Sequence, residues 1–301
     1  MNRPWLPYAV LAGGVLVAST ASILIRLAQA EGMPSLTIAA MRMGLAALIL
    51  LPIAGPRLRS DLPRLAGSHL RLALLSGACL AVHFWSWIAS LAYTSVASST
   101  VLVTTNPIWV GLASLLLLRE RLPAASLAGI ALSIAGTGLI FASDTQPGVV
   151  ATYPAPRFGN MLALVGAVSA SAYLLIGRTL RSRLSLLSYV WLAYATSAVL
   201  LWAAAFASGT ALLGFSLFAY ALVLALAVGP QLLGHTAFNW SLRHLSATFV
   251  ALSILGEPVG SALLAYFTFG ERLATQQLAG FLLILVGIFV AARSERRAQP
   301  T

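Results

Sequence analysis

NPIWVGLASLLLLRERLPAASLAGIALSIAG, residues 106–136, returns 151 residues later as EPVGSALLAYFTFGERLATQQLAGFLLILVG, residues 257–287. No gap is needed to align them. The frame lays Asn106-Pro107 on Glu257-Pro258, Glu120-Arg121-Leu122 on Glu271-Arg272-Leu273, Leu127-Ala128-Gly129 on Leu278-Ala279-Gly280, and Gly136 on Gly287. Upstream it lays Ser90-Leu91 on Ser241-Leu242. Apolar sequence matches itself easily, but Pro, Gly and charged positions held in one frame do not. The chain therefore reads as two related halves, residues 1–145 and 146–301.

The stretches between these landmarks are long and apolar. Of the 301 residues 59% are hydrophobic and 8% charged, and the mean hydropathy is +0.92. A soluble domain carries about 25% charged residues, so this chain cannot cover a water-facing surface. Ten apolar runs fall near 6–28, 35–54, 70–92, 96–118, 123–142, 158–178, 186–207, 217–239, 245–269 and 274–292. Each approaches the roughly 20 residues that span a bilayer as helix. They do not alternate in polarity, which excludes the other spanning solution, a closed barrel. The fold class is therefore all-α integral membrane, with ten transmembrane helices. Five helices per repeat is an odd number, so the second repeat lies inverted relative to the first. Inverted repeats meeting near the midplane are a recurrent plan of secondary transporters.

All 18 basic residues are arginines, and the net charge is +11. They sit in short segments between apolar runs, which speaks for membrane orientation and against nucleic acid. Placing the N-terminus inside puts 14 of the 18 on that side, so both termini are expected in the cytoplasm of a bacterial inner (plasma) membrane. The run from Pro4 to Ile25 is too long for a signal-peptide core and reads as a retained first span. The lone Cys79 lies in an apolar run and reads as an inert small hydrophobe.

At these residues the chain resembles the drug/metabolite transporter superfamily, in particular its EamA-type branch. The turns Leu118-Arg119-Glu120-Arg121-Leu122 and Phe269-Gly270-Glu271-Arg272-Leu273 look like that branch's Gly-Glu-Arg-Leu turns, as do Glu257-Pro258 and Arg42 followed by Ala46-Ala47. The resemblance covers nearly the whole chain. It implies a ten-helix metabolite exporter, similar to YddG-type exporters of aromatic and other amino acids. Asn106 stands where the second repeat has Glu257.

Polar groups inside the spans are the candidates for lining a substrate cavity. Glu257 is the one acid well inside a run. It reads either as a lining group facing a substrate or as a hydrogen-bonding tie between helices. His83 and Trp87 are four apart, hence on one helix face, and Gln231, His235 and Asn239 form a stripe at the same spacing. Asn106 shares the Pro-linked position, while Trp109 and Tyr173 offer rings to a planar or cationic ligand. Pro107, Pro230 and Pro258 each remove a helix hydrogen bond and are candidate hinges. Arg26 and Arg42 lie near span ends and read as snorkelling side chains or partners of Glu31, with a substrate-carboxylate contact as the sharper alternative. Gly129, Gly136, Gly280 and Gly287 read as close helix packing.

No His-Glu-x-x-His, Gly-x-Ser-x-Gly or Walker loop occurs, so nothing calls for an enzyme, a nucleotide or a cofactor. Two histidines without further ligands make no metal site. The sequence thus points to a monomeric secondary transporter in the bilayer, exporting amino acids, aromatic ones included, by alternating access. A channel, an exporter of cationic drugs or other metabolites, and an intramembrane enzyme are the competing readings.

Overall fold

A computed structural model describes residues 5–65, 67–116, 123–143, 146, 152–180, 183–241, 244–245, 253–254 and 256–298. Among these the regular structure is helical. In chain order the helices are α1 (Leu6–Ser19), α2 (Ala21–Ala30), α3 (Ser35–Asp61), α4 (Gly67–Ser90), α5 (Val96–Val103), α6 (Asn106–Leu116), α7 (Ala124–Ser143), α8 (Pro156–Leu180), α9 (Leu186–Ala207), α10 (Leu217–Leu226), α11 (His235–Ser241), α12 (Gly256–Phe269) and α13 (Thr275–Ala298). A π-helical segment, Ala227–Gly234, joins α10 to α11. Among the described residues eight stretches are long and apolar enough to cross a membrane: α1–α2, α3, α4, α5–α6, α7, α8, α9 and α10 through Phe238. α12 and the apolar part of α13 take the ninth and tenth places in the expected order of ten.

Helix is what an apolar chain must form here, because lipid offers no partner for backbone N–H and C=O groups. Its ends need other partners. Ser95, Ser185 and Ser216 each accept the orphan N–H three residues on, from Ser98 (3.0 Å), Ser188 (3.3 Å) and Ala219 (3.1 Å), and so start α5, α9 and α10. At the other end, α2 and α12 stop where Gly32 (φ 80°) and Gly270 (φ 68°) take the left-handed conformation. The expected break at 55–69 is shorter than the sequence reading: α3 runs through Pro52 and Pro56 to Asp61. A proline near a helix end frees carbonyls that interfacial water satisfies, so it need not stop the helix.

The offset of 151 carries α1–α2 onto α8, α3 onto α9, α4 onto α10 to α11, and α7 onto α13. Two of these related pairs pack against each other. In α7 and α13, Gly129 lies against the Gly287 carbonyl, and Gly136 against that of Gly280. As one number rises the other falls, so the mates run antiparallel and the halves are inverted. The contact is reciprocal, since 129 corresponds to 280 and 136 to 287. α3 and α9 also run antiparallel. Thr37 at the start of α3 donates to Ala211 O (2.7 Å) past the end of α9, and Asp61 at the end of α3 accepts from Ser185 N (3.1 Å) before its start.

The glycine reading is thus confirmed by contact. A Cβ on Gly136 would sit 2.6 Å from Gly280 O, and one on Gly280 2.6 Å from Gly136 O. Gly138, two residues on, has nothing within 4 Å. Gly136→Val is expected to cost about 1–3 kcal/mol by forcing the helices apart and to lower the melting temperature of the detergent-solubilised protein. Gly138→Ala leaves it unchanged; equal melting curves for the two variants would refute the seam.

Candidate functional site

Arg42 corrects the sequence reading most sharply. It does not snorkel: it is 2% exposed, the largest of the fully buried side chains, and about 10 Å along α3 from Ser35. Small neighbours, Ala39, Ala40, Ala46 and Ala47, bring other helices close enough to enclose it. Its guanidinium lies over the rings of Phe84 (4.3 Å to the centroid) and Trp87 (5.6 Å) on α4, a stabilising arrangement when desolvated. Its Nε donates to Gln231 Oε1 (2.9 Å), and Tyr194 on α9 lies within electrostatic reach of the guanidinium. With polar and aromatic partners in the interior, the head turns inward rather than toward the membrane surface.

Gln231 is delivered by the π-helical segment. Pro230 lies inside it, buried, and has no N–H to give the regular i→i−4 ladder. Four residues on, His235 shares the helix edge of Gln231 but keeps a large exposed surface. His235 lies within electrostatic reach of Arg42. His83 is within electrostatic reach of both Arg42 and His235. Its Nδ1 is 2.9 Å from Gly166 O on α8. A carbonyl only accepts, so Nδ1 carries the proton and Nε2 is left for the interior. The His83 ring stacks on Trp87, 6.1 Å between centroids at 18°.

Glu257 enters from the second half, on α12. Ser19 on α1 donates to its main-chain oxygen (3.3 Å), and Ser261 donates to Ser19 O (3.0 Å), which fixes α12 against α1. The Glu257 side chain is half-buried and within the electrostatic reach of Arg42. The two remain more than 4.0 Å apart, for the one ion pair among the described residues is elsewhere.

The structure therefore gathers His83, Trp87, Gln231, His235 and Glu257 around Arg42. Other candidates are committed to packing. The Asn106 amide donates to Val103 O (2.9 Å) and Ala167 O (3.1 Å). The Trp109 indole donates to Thr105 Oγ1 (3.1 Å), and Tyr173 stacks on Tyr189 at 5.7 Å. The Asn239 side chain lies outside the described residues. Pro107 occupies the first turn of α6, where a proline removes no hydrogen bond, rather than a helix interior, and Pro258 is buried on α12. The interruption itself falls at Thr104-Thr105, between α5 and α6.

A second polar cluster ties one end of the bundle. Arg26 on α2 pairs with Glu271 (2.6 Å), not with Glu31, whose carboxylate accepts from Ser216 (2.6 Å). Arg26 also donates to Thr94 O (2.5 Å), and the second Glu271 oxygen accepts Val96 N (2.9 Å), the first residue of α5. The Tyr153 ring lies 5.8 Å from the Arg26 guanidinium. Burial pushes the Glu271 carboxyl above its ordinary value, opposed by Arg26 and the Val96 N–H. Four segments of both halves meet here. The sequence signal was the repeated Glu-Arg-Leu turn, but its partner lies 245 residues away. Glu271→Gln leaves Arg26 without its counter-charge, at a cost of about 3 kcal/mol. In a Cys79→Ser, Ser95→Cys background, where position 95 is buried, this change is expected to speed thiol labelling several-fold. Unchanged labelling would mean the cluster closes nothing.

Two inverted bundles enclosing a charged interior define a multi-pass membrane protein. The EamA-like transporter family matches residues 5–142 and again 157–293, and the chain belongs to that family. It is similar to YetK of Bacillus subtilis, an uncharacterized transporter, at 27% identity over 207 residues, 62% of this chain and 61% of that one. The match thus spans about three-fifths of YetK's length. Two uncharacterized transporters of Archaeoglobus fulgidus are 25% identical over 210 residues (69% and 71% of the two chains) and 23% identical over 230 residues (76% and 77%). The fold is also that of a crystal structure with TM-score 0.56 and 20% identity, covering 95% of this chain and 99% of the other.

Proposed function

We propose that the protein is a secondary transporter that exports small metabolites, with amino acids as the leading class, by alternating access across a bacterial inner membrane. The observation that carries this reading is the charged, aromatic-walled interior that both halves build. Arg42, His83 and Trp87 come from the first half, and Gln231, His235 and Glu257 from the second. Groups so placed change their mutual distances when inverted halves rock against each other. The arginine distribution supports cytoplasmic termini, and on that orientation the Arg26–Glu271 cluster is the seal of the outer end. The transport unit is one chain, because the two repeats already supply both walls.

A cationic-drug exporter fits less well. Its passenger would be drawn to Glu257 but would meet Arg42 in the same interior. A plain channel leaves the inverted halves without a purpose. The groove between α12 and α13, lined by Val259, Leu263, Leu285, Val286 and Phe289, is apolar and suits an acyl chain better than a polar solute.

The test is uptake of labelled amino acids into liposomes containing the purified protein, with and without a pH gradient. Saturable uptake is expected. Uptake of another metabolite and of no amino acid would overturn the substrate class. Glu257→Gln is expected to cut transport about tenfold or more, equivalent to at least 1.4 kcal/mol, with little change in melting temperature. Normal transport by that variant across pH would remove Glu257 from the mechanism.

A further inference from the structure

Arg42 is a buried cation whose hydrogen bonding is incomplete. A guanidinium offers five N–H donors in a planar fork. Nε is spent on Gln231, but Nη1 is fully buried and donates to nothing. The Trp87 indole, whose ring lies under the same guanidinium, also has a buried Nε1 without an acceptor. Unpaired donors inside a protein are costly, and a charged one most of all. The facing acid, Glu257, attracts Arg42 without reaching it. The other facing groups, His83, His235, Gln231 and Tyr194, include no second anion.

The way this side chain is held narrows what completes it. Gln231 blocks the Nε edge, and the Phe84 ring supports one face at 4.3 Å. The edge left for a ligand is the Nη1/Nη2 end, which matches the two oxygens of a carboxylate. A guanidinium pinned in this way loses little freedom on binding, so its interaction goes largely into affinity.

We propose that Arg42 is the anchor for a carboxylate on the transported molecule, gripped through Nη1 and Nη2, with Gln231 and Phe84 as positioning residues and Trp87 Nε1 as an added donor. The passenger therefore carries a free carboxylate. For an amino acid, the ammonium group faces Glu257. This rests on the reading of the interior as the transport site and goes beyond it by assigning the group that is recognised. The ligand reaches Arg42 as the halves move, since the guanidinium is shut off from solvent in this state.

The experiment compares matched passengers in proteoliposomes holding the full-length protein: labelled tryptophan, phenylalanine and leucine, their primary amides, their decarboxylated amines, and the des-amino acids. Each acid is expected to move with KM at least about tenfold below that of its amide, because a hydrogen-bonded charge is worth a factor of that order or more. Arg42→Lys should raise KM for the acids while leaving maximal flux within a few-fold. Arg42→Gln should erase the acid-over-amide preference. Because the ligand series is run on the native protein, its outcome does not depend on any variant folding. Amides moving as well as acids would overturn the anchor and leave amino-acid export standing. Des-amino acids moving without amino acids would overturn the amino-acid class and support the anchor. Flux of amines or uncharged solutes with no carboxylate moving would overturn both, as would no flux at all.

Discussion

A charge inside a bilayer has to be answered from within the protein, because the surrounding hydrocarbon offers nothing. Arg26 meets most of that demand: a carboxylate and a carbonyl accept from its two Nη groups and a tyrosine ring lies 5.8 Å away, with Nε left without an acceptor, and the cluster becomes a tie between segments of both halves. Arg42 meets it only in part, with one glutamine oxygen and two aromatic faces. The first arrangement is a fastening and the second an unfinished site. The rest of the architecture holds these two different guanidinium environments within one bundle.

Much of the fold was legible because its cause is local or periodic. Runs of apolar residues between arginines set the helices, and a fixed offset of 151 linked their polar and glycine landmarks. What escaped the sequence is what distance conceals. Arg42 sits close enough to a span end to pass for a snorkelling side chain, and its partner Gln231 lies 189 residues away. Glu31 looked like Arg26's natural partner because it is only five residues off, yet it projects from the end of α2 toward Ser216. The proline positions misled for a different reason. Pro107 was found at a helix start, where it costs nothing, while Pro52 and Pro56 were absorbed within α3.

The two halves share a frame but have divided the labour. Asn106 and Glu257 are repeat mates, each followed by a proline. Asn106 spends its amide on main-chain carbonyls and fastens α6 to α8, whereas Glu257 keeps its carboxylate toward the interior. α4 is continuous and supplies the aromatic wall, whereas its mate is interrupted by a π-helical segment that presents Gln231 and His235. One half builds the wall under the guanidinium, and the other brings the polar groups to it.

The glycine seam between α7 and α13 has a further meaning. Because Gly129 and Gly136 meet the repeat counterparts of one another, the seam is self-complementary in the sense of a two-fold interface. The first half alone already carries both of the surfaces that the seam joins. An upside-down copy of that half would present to it the same small-residue stripe that the second half presents now. The covalent link between the halves therefore sets their order and ratio rather than their fit, and the single chain is in geometric terms a tethered antiparallel dimer.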